Sequence, residues 1–269
     1  FKRTGVARAR ALVASCLDYA ETYMRRSLSA MKPGRYEAAL TIEDEATSDQ
    51  PIRLQAMVEL AGDRLVIDFA GSEPQRDNGL NCPIASTISM ANYAVKCVVA
   101  PGIAQNEGCN RAVEIRVPEG SILNPRRPAA VSVRHLTQQA VAEVLLKAMA
   151  PLAPERAAAG CQISFPTFAA GGFDDRPEKR DEETGAAPYY VISDIIGGGM
   201  GGNPVRDGIS AVDTHGGNCA ILSAEVVETL SPIRVLDTRL VPGSGGAGQH
   251  RGGLAMRRDY QFLSKRSIM

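Results

Sequence analysis

The sequence has no tryptophan, and only 5% of its 269 residues are aromatic. It also has no excess of charge of either sign, because Lys plus Arg and Asp plus Glu both number 30. A protein that binds nucleic acid usually carries a basic surface and often rings that stack on bases, and this composition favours neither. A balanced charge likewise gives no reason to expect binding to an anionic membrane.

No apolar run approaches the roughly 18–20 residues of a transmembrane helix. Asp18 and Glu21 interrupt the apolar segment 11–17, so an amphipathic helix is a better prediction there than a signal peptide. The six cysteines are widely spaced and form no C-x-x-C pair, which is typical of reduced and mostly buried thiols. These features predict a cytoplasmic protein without a membrane partner.

Motifs for nucleotide binding and hydrolysis are missing or lack their usual context. The sequence has no Gly-Lys dipeptide, and therefore no Walker A loop, and no G-x-S-x-G or H-E-x-x-H. Two segments, 197–202 and 243–248, match G-x-G-x-x-G, but neither precedes the helix that a dinucleotide site needs. Their glycines are expected to form tight turns, or a nest of backbone N–H groups that binds an anion.

The periodicity of apolar residues predicts a mixture of helices and strands. Helices are predicted over 4–31 (with Thr4 as the cap), 83–100, 136–149 and 223–229. The helix at 136–149 is expected to dock on another helix through its apolar positions. Strands are predicted over 36–42, 52–60, 65–69, 113–117, 129–133, 189–196 (as a buried strand), 233–241 and 254–262.

Because strands and helices occur in blocks, the sequence predicts an α+β fold: an antiparallel β-meander over 35–70, packed helices, glycine-rich turns and mixed sheets. A short hairpin is expected at 61–64. As domains, we expect an N-terminal helix over 1–34 and a core over 35–269 that could divide near 150–185. The charged segment 174–184 is predicted to be a solvated loop, and the stretch most prone to disorder. A chain that begins with Phe1 is interpreted as a fragment of a longer subunit.

Four polar residues in turns are the candidates for chemistry. Asn106 and Glu107 share one turn, and Asp213 and His215 lie in another among small residues that leave the imidazole room to face a ligand. Glutamate and histidine can transfer protons, although turns with hydrogen-bonding side chains are the structural alternative. Asp213 with His215 is the pair most compatible with a metal, but two ligands do not make a site, so the metal stays unknown. His250, in a glycine-rich turn, is assigned a structural role.

Six motifs occur in an order that resembles one known family. They are DFAGS at 68–72, NCP at 81–83, NEGC at 106–109, PEGSILNP at 118–125, GGGMGG at 197–202 with RDG at 206–208, and SGGAGQHRGG at 244–253. Together they are similar to the hydantoinase B/oxoprolinase family. This family includes the B subunit of N-methylhydantoinase, the C-terminal region of 5-oxoprolinase, and a subunit of acetone and acetophenone carboxylases. The resemblance covers about residues 5 to 263.

The resemblance implies the C-terminal half of the B subunit of an ATP-dependent cyclic-amide hydrolase. A partner A subunit would bind ATP and Mg²⁺ and phosphorylate the carbonyl oxygen of a small cyclic amide, which the B subunit would then process in a hetero-oligomer. No cofactor is expected on this chain alone. A divalent metal would belong to the family's N-terminal half, to which nothing in this sequence corresponds.

In this interpretation Glu107 or His215 is the proton donor or base, with Asp213 and Asn106 beside them. The oxyanion would be held by backbone N–H groups of four glycines: Gly198, Gly199, Gly201 and Gly202. Two alternatives stay open. The chain could be a non-catalytic assembly domain that docks on the A subunit, or part of an ATP-dependent ketone carboxylase with the same motifs. The residues after His215 depart from the family pattern, which places any substrate role of that loop in question.

Overall fold

The computed structural model describes residues 5–43, 50–164, 166–217 and 219–269. The chain divides into two units, Phe1–Ala158 and Ala159–Met269. Each unit has its own strands and its own buried apolar residues. Within the described residues, none of the helices combines the length and the apolar character that crossing a membrane requires.

The first unit is built on a four-stranded sheet. Its strands are β1 (Gly34–Ile42), β2 (Ile52–Ala61), β3 (Arg64–Asp68) and β4 (Val113–Arg116). The first three pair in an antiparallel order, and β4 runs parallel to β3, so the sheet is mixed. Apolar residues at every second position of β2 are buried, because successive side chains of a strand point to opposite faces. The predicted meander and its hairpin at 61–64 are confirmed.

Helices cover this sheet. They are α1 (Val6–Ser29), α2 (Ile84–Val99) and α3 (Arg134–Met149). Helix α3 contacts β1, β2 and α2 and buries Val141, Leu145 and Met149, so its predicted docking on another helix is confirmed. The helices predicted over 4–31, 83–100 and 136–149 are confirmed, while the proposed cap, Thr4, lies outside the described residues.

Helix α1 is packed only along its C-terminal half. Ala20, Met24 and Leu28 are buried there. Towards the N-terminus the apolar side chains are exposed, as in Val6 and Val13, which keep 54% and 60% of their surface in contact with solvent. The amphipathic pattern therefore forms one continuous helix, but the body of the unit covers only part of its apolar face.

The prediction of a strand over 129–133 is wrong. The Val133 N–H donates to the Gly79 carbonyl at 3.0 Å, and the Arg134 N–H donates to the Val131 carbonyl at 3.3 Å. These bonds turn the chain into α3, so its backbone groups are not available to a neighbouring strand.

The second unit contains a three-stranded and a two-stranded sheet in its described part. Its elements are β5 (Thr167–Phe173), β6 (Tyr189–Ile195), α4 (Ala224–Leu230), β7 (Ile233–Leu240), β8 (Met256–Phe262) and β9 (Ser267–Ile268). The strands pair antiparallel as β6-β5-β9 and β7-β8. Tyr190, Ile192, Val227 and Ile233 lie in the core. This architecture, with the mixed sheet of the first unit, confirms the α+β class.

Four elements of this unit were predicted and two were not. The strand expected to be fully buried, β6, is confirmed as a strand, but only alternate residues are buried, and Val191 is 73% exposed. Strand β5 escapes prediction because Gly171 and Gly172 weaken its strand pattern. Ser223 caps α4 as its sequence predicts, since its hydroxyl accepts a hydrogen bond from the Val226 N–H.

The charged segment 174–184 is a solvated loop over most of its length, as predicted. The prediction is wrong for its first residue, Asp174. Asp174 is buried and forms a two-point ion pair with Arg176, whose Nε and Nη2 atoms lie 2.8 and 2.6 Å from its oxygens. Arg176 also donates to the carbonyl of Glu228, at 2.9 Å. The start of the loop is therefore attached to α4.

Candidate functional site

The two glycine-rich segments of the second unit line one cleft, which we call the glycine cleft. Its volume is about 290 Å³. Residues 199–202 and residues from 244 to 255 contribute to its lining, together with Ala159, Gly160 and Gln162. Neither G-x-G-x-x-G segment is followed by a helix, as the sequence predicts.

Backbone hydrogen bonds bring these segments together. The Met200 N–H donates to the Ile209 carbonyl at 2.9 Å, and the Met200 carbonyl accepts from the Gly253 N–H at 2.8 Å. Gly198 and Val212 exchange two hydrogen bonds, of 3.0 and 2.8 Å. The glycine segment is thus held on both sides, at 209–212 and at 253.

Two glycines of the cleft allow an approach that no other residue would permit. A Cβ atom on Gly199 would lie 2.1 Å from the carbonyl oxygen of Gly253. One on Gly201 would lie 1.8 Å from that of Ala159. Since the obstructing atoms belong to the backbone, a larger residue would push the walls apart.

The four glycines predicted to hold an oxyanion differ in what their amides do. Gly198 donates to Val212 and does not line the cleft, and Gly201 makes a weak contact of 3.5 Å to the Cys161 sulfur. Gly199 and Gly202 line the cleft, and their N–H groups donate to no acceptor in the part of the chain that the structure describes. Two of the four predicted donors therefore line the cleft without an acceptor among the described residues.

Two polar side chains of the second glycine segment also belong to the lining. The Ser244 hydroxyl donates to the Val241 carbonyl at 2.7 Å and accepts from the Ala255 N–H at 2.8 Å, so it joins the ends of β7 and β8. His250 has its Nδ1 atom 3.7 Å from Oδ1 of Asp207. Neither residue was among the predicted site residues. The available signal was their position, with Ser244 inside the second G-x-G-x-x-G segment and His250 two residues after its end.

Asp213 and His215 follow Val212 in the same unit. His215 and Thr214 are buried, and the Thr214 hydroxyl donates to the carbonyl of Gln162, which lines the glycine cleft, at 2.9 Å. Burial raises the pKa of the Asp213 carboxyl above its usual range, and hydrogen bonds from Cys219 only partly oppose this. An aspartate of this kind holds its proton more readily than an exposed one.

Asn106 and Glu107 belong to the first unit, in a short 3-10 turn. Asn106 caps that turn, with its side-chain oxygen accepting the Gly108 N–H at 2.9 Å. Glu107 is exposed and accepts a hydrogen bond from Asn110 at 3.0 Å. A Cβ atom on Gly108 would lie 2.0 Å from the carbonyl oxygen of Leu17, so this turn packs directly on α1. The four candidate residues therefore fall into two pairs, one in each unit.

Comparison with known proteins gives a consistent result. A family model described as Hydantoinase B/oxoprolinase matches residues 1–269. A 5-oxoprolinase of Pestalotiopsis fici, PfmaA, is 35% identical over 90% of this chain and 18% of its own length. A protein of Pseudomonas sp. (strain NS671), whose name describes it as the B subunit of a D-/L-hydantoinase, is 29% identical over 94% of this chain and 42% of its own length. The chain thus spans less than half the length of these relatives.

Two solved structures have similar folds. One is an ATP-dependent caprolactamase from Pseudomonas jessenii, with a TM-score of 0.80, 25% identity, and coverage of 97% of this chain and 44% of that one. The other is a nucleotide-free acetone carboxylase, with a TM-score of 0.76, 19% identity, and coverage of 92% of this chain and 34% of that one. The second likeness concerns the fold alone.

Proposed function

The chain belongs to the hydantoinase B/oxoprolinase family, and from this membership we propose that it is part of the B subunit of an ATP-dependent enzyme that hydrolyses a small cyclic amide. In this proposal ATP and Mg²⁺ are held by a partner A subunit, which phosphorylates the carbonyl oxygen of the ring. The B subunit then opens the activated ring. Since the chain spans 42% of its hydantoinase relative from Pseudomonas sp., the activity is assigned to the whole subunit with its partner.

The glycine cleft is the proposed site for the reacting carbonyl. Once the carbonyl oxygen is phosphorylated, negative charge lies on the phosphoryl group and develops on the oxygen that water contributes as the C–N bond breaks. Donors that are already in place stabilise such charge without reorganisation. The unengaged N–H groups of Gly199 and Gly202 are such donors, and they are the observation that carries this proposal. The volume of the cleft, about 290 Å³, lies just below the range of roughly 300–1,000 Å³ that is usual for small-molecule sites, which suits a small ring.

Proton transfer is assigned first to His215, with Asp213 beside it in the sequence. His215 would accept a proton from the attacking water. It is buried and is not among the residues that line the cleft, so the support for this role is its neighbour Thr214, whose hydroxyl donates to the carbonyl of Gln162 in the cleft wall. Glu107 and Asn106 stay predictions. Replacing His215 by Gln, or Glu107 by Gln, in the assay below tests each of them, and unchanged turnover would remove that residue from the mechanism.

A structural role is the second candidate, and the close backbone contacts of Gly199 and Gly201 favour it. In that case the glycines only allow the segments to pack tightly, and the unit serves the assembly of the complex. The cleft would then be a by-product of packing, and filling it would leave turnover unchanged.

A side chain placed in the cleft separates the two candidates. Gly246 lines the cleft, and a Cβ atom there would meet nothing within 4 Å, so the Cβ of Gly246→Val has room and its methyl groups extend into the space around it. Gly102, in the first unit, is equally unobstructed and exposed, and Gly102→Val is the matched control. We expect Gly246→Val to lower cyclic-amide-dependent ATP hydrolysis by the intact complex by roughly tenfold or more, without a change in Tm. Normal turnover would refute the cleft as the site.

A further inference from the structure

His250 is the ionisable residue of the glycine cleft. The other described residues that line it are glycines, alanines, Met200, Gln162 and Ser244, none of which titrates near neutral pH. A reaction that moves a proton inside this cleft therefore has one side chain in its lining that can carry it.

His250 is also next to a proposed oxyanion donor. A Cβ atom on Gly202 would lie 2.6 Å from the carbonyl oxygen of His250, so the backbones of these two residues are in contact. The Gly202 N–H donates to no acceptor in the described part of the chain. A carbonyl oxygen bound to this amide would place the rest of its amide group close to His250.

Asp207 lies beside the imidazole of His250. Oδ1 of Asp207 accepts the Arg251 N–H at 3.0 Å, and Oδ2 lies 3.3 Å from Nε of Arg251, so the residue after His250 holds the carboxylate in place. The same Oδ1 atom lies 3.7 Å from Nδ1 of His250. Nδ1 is thus the ring nitrogen nearer to the carboxylate, and Nε2 is the ring nitrogen farther from it.

We propose that His250 protonates the ring nitrogen when the amide bond breaks, and that Asp207 is the residue that positions its imidazole. This role rests on the proposed hydrolase function. Water first adds to the carbon of the phosphorylated carbonyl and loses a proton to the base, while the C=N electron pair moves onto the ring nitrogen. The hydroxyl of this tetrahedral intermediate then becomes the new C=O and loses its proton to solvent as the C–N bond breaks. The electron pair of that bond passes to nitrogen, and the Nε2 proton of the imidazolium transfers to it. The acyl phosphate that remains is hydrolysed by a second water to a carboxylate and inorganic phosphate. The neutral imidazole regains a proton from solvent, which reaches the partly exposed His250 side chain.

Protonation matters here because an unprotonated amide nitrogen is a very poor leaving group. A positioned general acid typically contributes about 10²–10⁴-fold to the rate. Removing His250 should therefore lower kcat by about 100-fold and leave KM for the cyclic amide nearly unchanged, because the N–H donors of Gly199 and Gly202 still bind the carbonyl.

The test uses the full-length subunit with its A partner and the variants His250→Ala and Asp207→Asn. His250→Ala opens a space in the lining that added imidazole can enter. We expect kcat to fall by about 100-fold and to recover in part when imidazole is added. His135→Ala, in the first unit, is the matched control and should show neither loss nor rescue. Asp207→Asn should lower kcat less than His250→Ala does, since the imidazole remains.

A loss that imidazole does not restore would overturn the proposal, because it would show that His250 only supports the fold. Full activity of His250→Ala would also overturn the role of His250, but it would leave the proposed function of the complex intact. If the unmodified complex consumes no ATP with any cyclic amide, the proposed function itself fails and this role fails with it. Thermal melting of each variant identifies a loss that comes from unfolding.

Discussion

Arg258 donates a hydrogen bond from Nη1 to Oδ2 of Asp194 at 2.6 Å, in a place where neither side chain exposes more than 1% of its surface. The same carboxylate accepts the Tyr260 hydroxyl at 2.8 Å and the Leu222 N–H at 3.1 Å. Burial, and then the neighbouring carboxylate, raise the pKa of Tyr260, so its hydroxyl stays a donor. This cluster joins β6 to β8, which belong to different sheets of the second unit.

The first prediction follows from this buried pair. Asp194→Ala removes the carboxylate and leaves Arg258 buried without its counter-ion, so the free energy of unfolding should fall by about 3–5 kcal/mol. Chemical denaturation of the full chain measures this. Asp259 is the matched control, because it pairs with Arg257 at 2.8 Å on the same strand but at an exposed position. Asp259→Ala should change stability little, and equal losses in the two variants would contradict the argument.

The second prediction concerns the dependence of stability on pH. The pKa of Asp213 is raised in the folded chain, so the protonated form is favoured there, and its contribution to stability is present at low pH. That contribution is lost as the pH rises above 3.8, the usual aspartate value, and through the raised pKa of the folded chain. Asp213→Asn should remove this loss, so the variant gains stability relative to the parent chain as the pH increases.

Asp174 provides a comparison of opposite sign. The hydrogen bond from Arg176 lowers the pKa of Asp174, so its contribution to stability is present above the usual value of 3.8 and is lost as the pH falls through the lowered pKa. Asp174→Asn should therefore lose stability relative to the parent chain as the pH increases. Melting curves recorded from pH 3 to 7 test both variants, because carboxyl groups of this kind titrate in about this interval. Parallel pH profiles for the two variants would show that these shifts are absent.

The third prediction compares two glycines of the cleft. Gly201→Ala places a Cβ atom 1.8 Å from the backbone oxygen of Ala159, so the segments must separate, at a cost of about 1–3 kcal/mol. Gly246→Ala meets nothing within 4 Å, and its stability should stay within about 0.5 kcal/mol of the parent chain. Equal stability of the two variants would mean that the segments do not pack as closely as the structure shows.

Much of the fold could be predicted because local patterns and tertiary packing agree. Alternation in 52–60 and helical spacing in 136–149 match the buried faces of β2 and α3. The pattern fails where neighbours decide the outcome. Residues 129–133 resemble a strand, but the loop at Gly79 takes up a backbone donor that a strand would need. Strand β5 has a weak pattern of its own and pairs with β6 and β9.

The candidate site was predictable only in part, and for a related reason. The sequence identifies the glycines at 198–202 as possible donors. Only the structure shows that the Gly198 N–H donates to the Val212 carbonyl, while the Gly202 N–H has no acceptor among the described residues. His250 was assigned a structural role, since a single histidine among glycines has no distinguishing context. Its contact with Gly202 and its approach to Asp207 arise between segments that are far apart in the sequence.

The order of the motifs by itself identified the hydantoinase B/oxoprolinase family, and the order of the predicted helices and strands determined the α+β class. Periodicity determined most helices and strands, because it records which face of each element avoids water. The tertiary structure alone decided which glycine amides stay unengaged, which charged pair is buried, and which histidine lines the cleft. These properties depend on contacts between distant segments, where a hydrogen bond made to one neighbour is no longer available to a ligand.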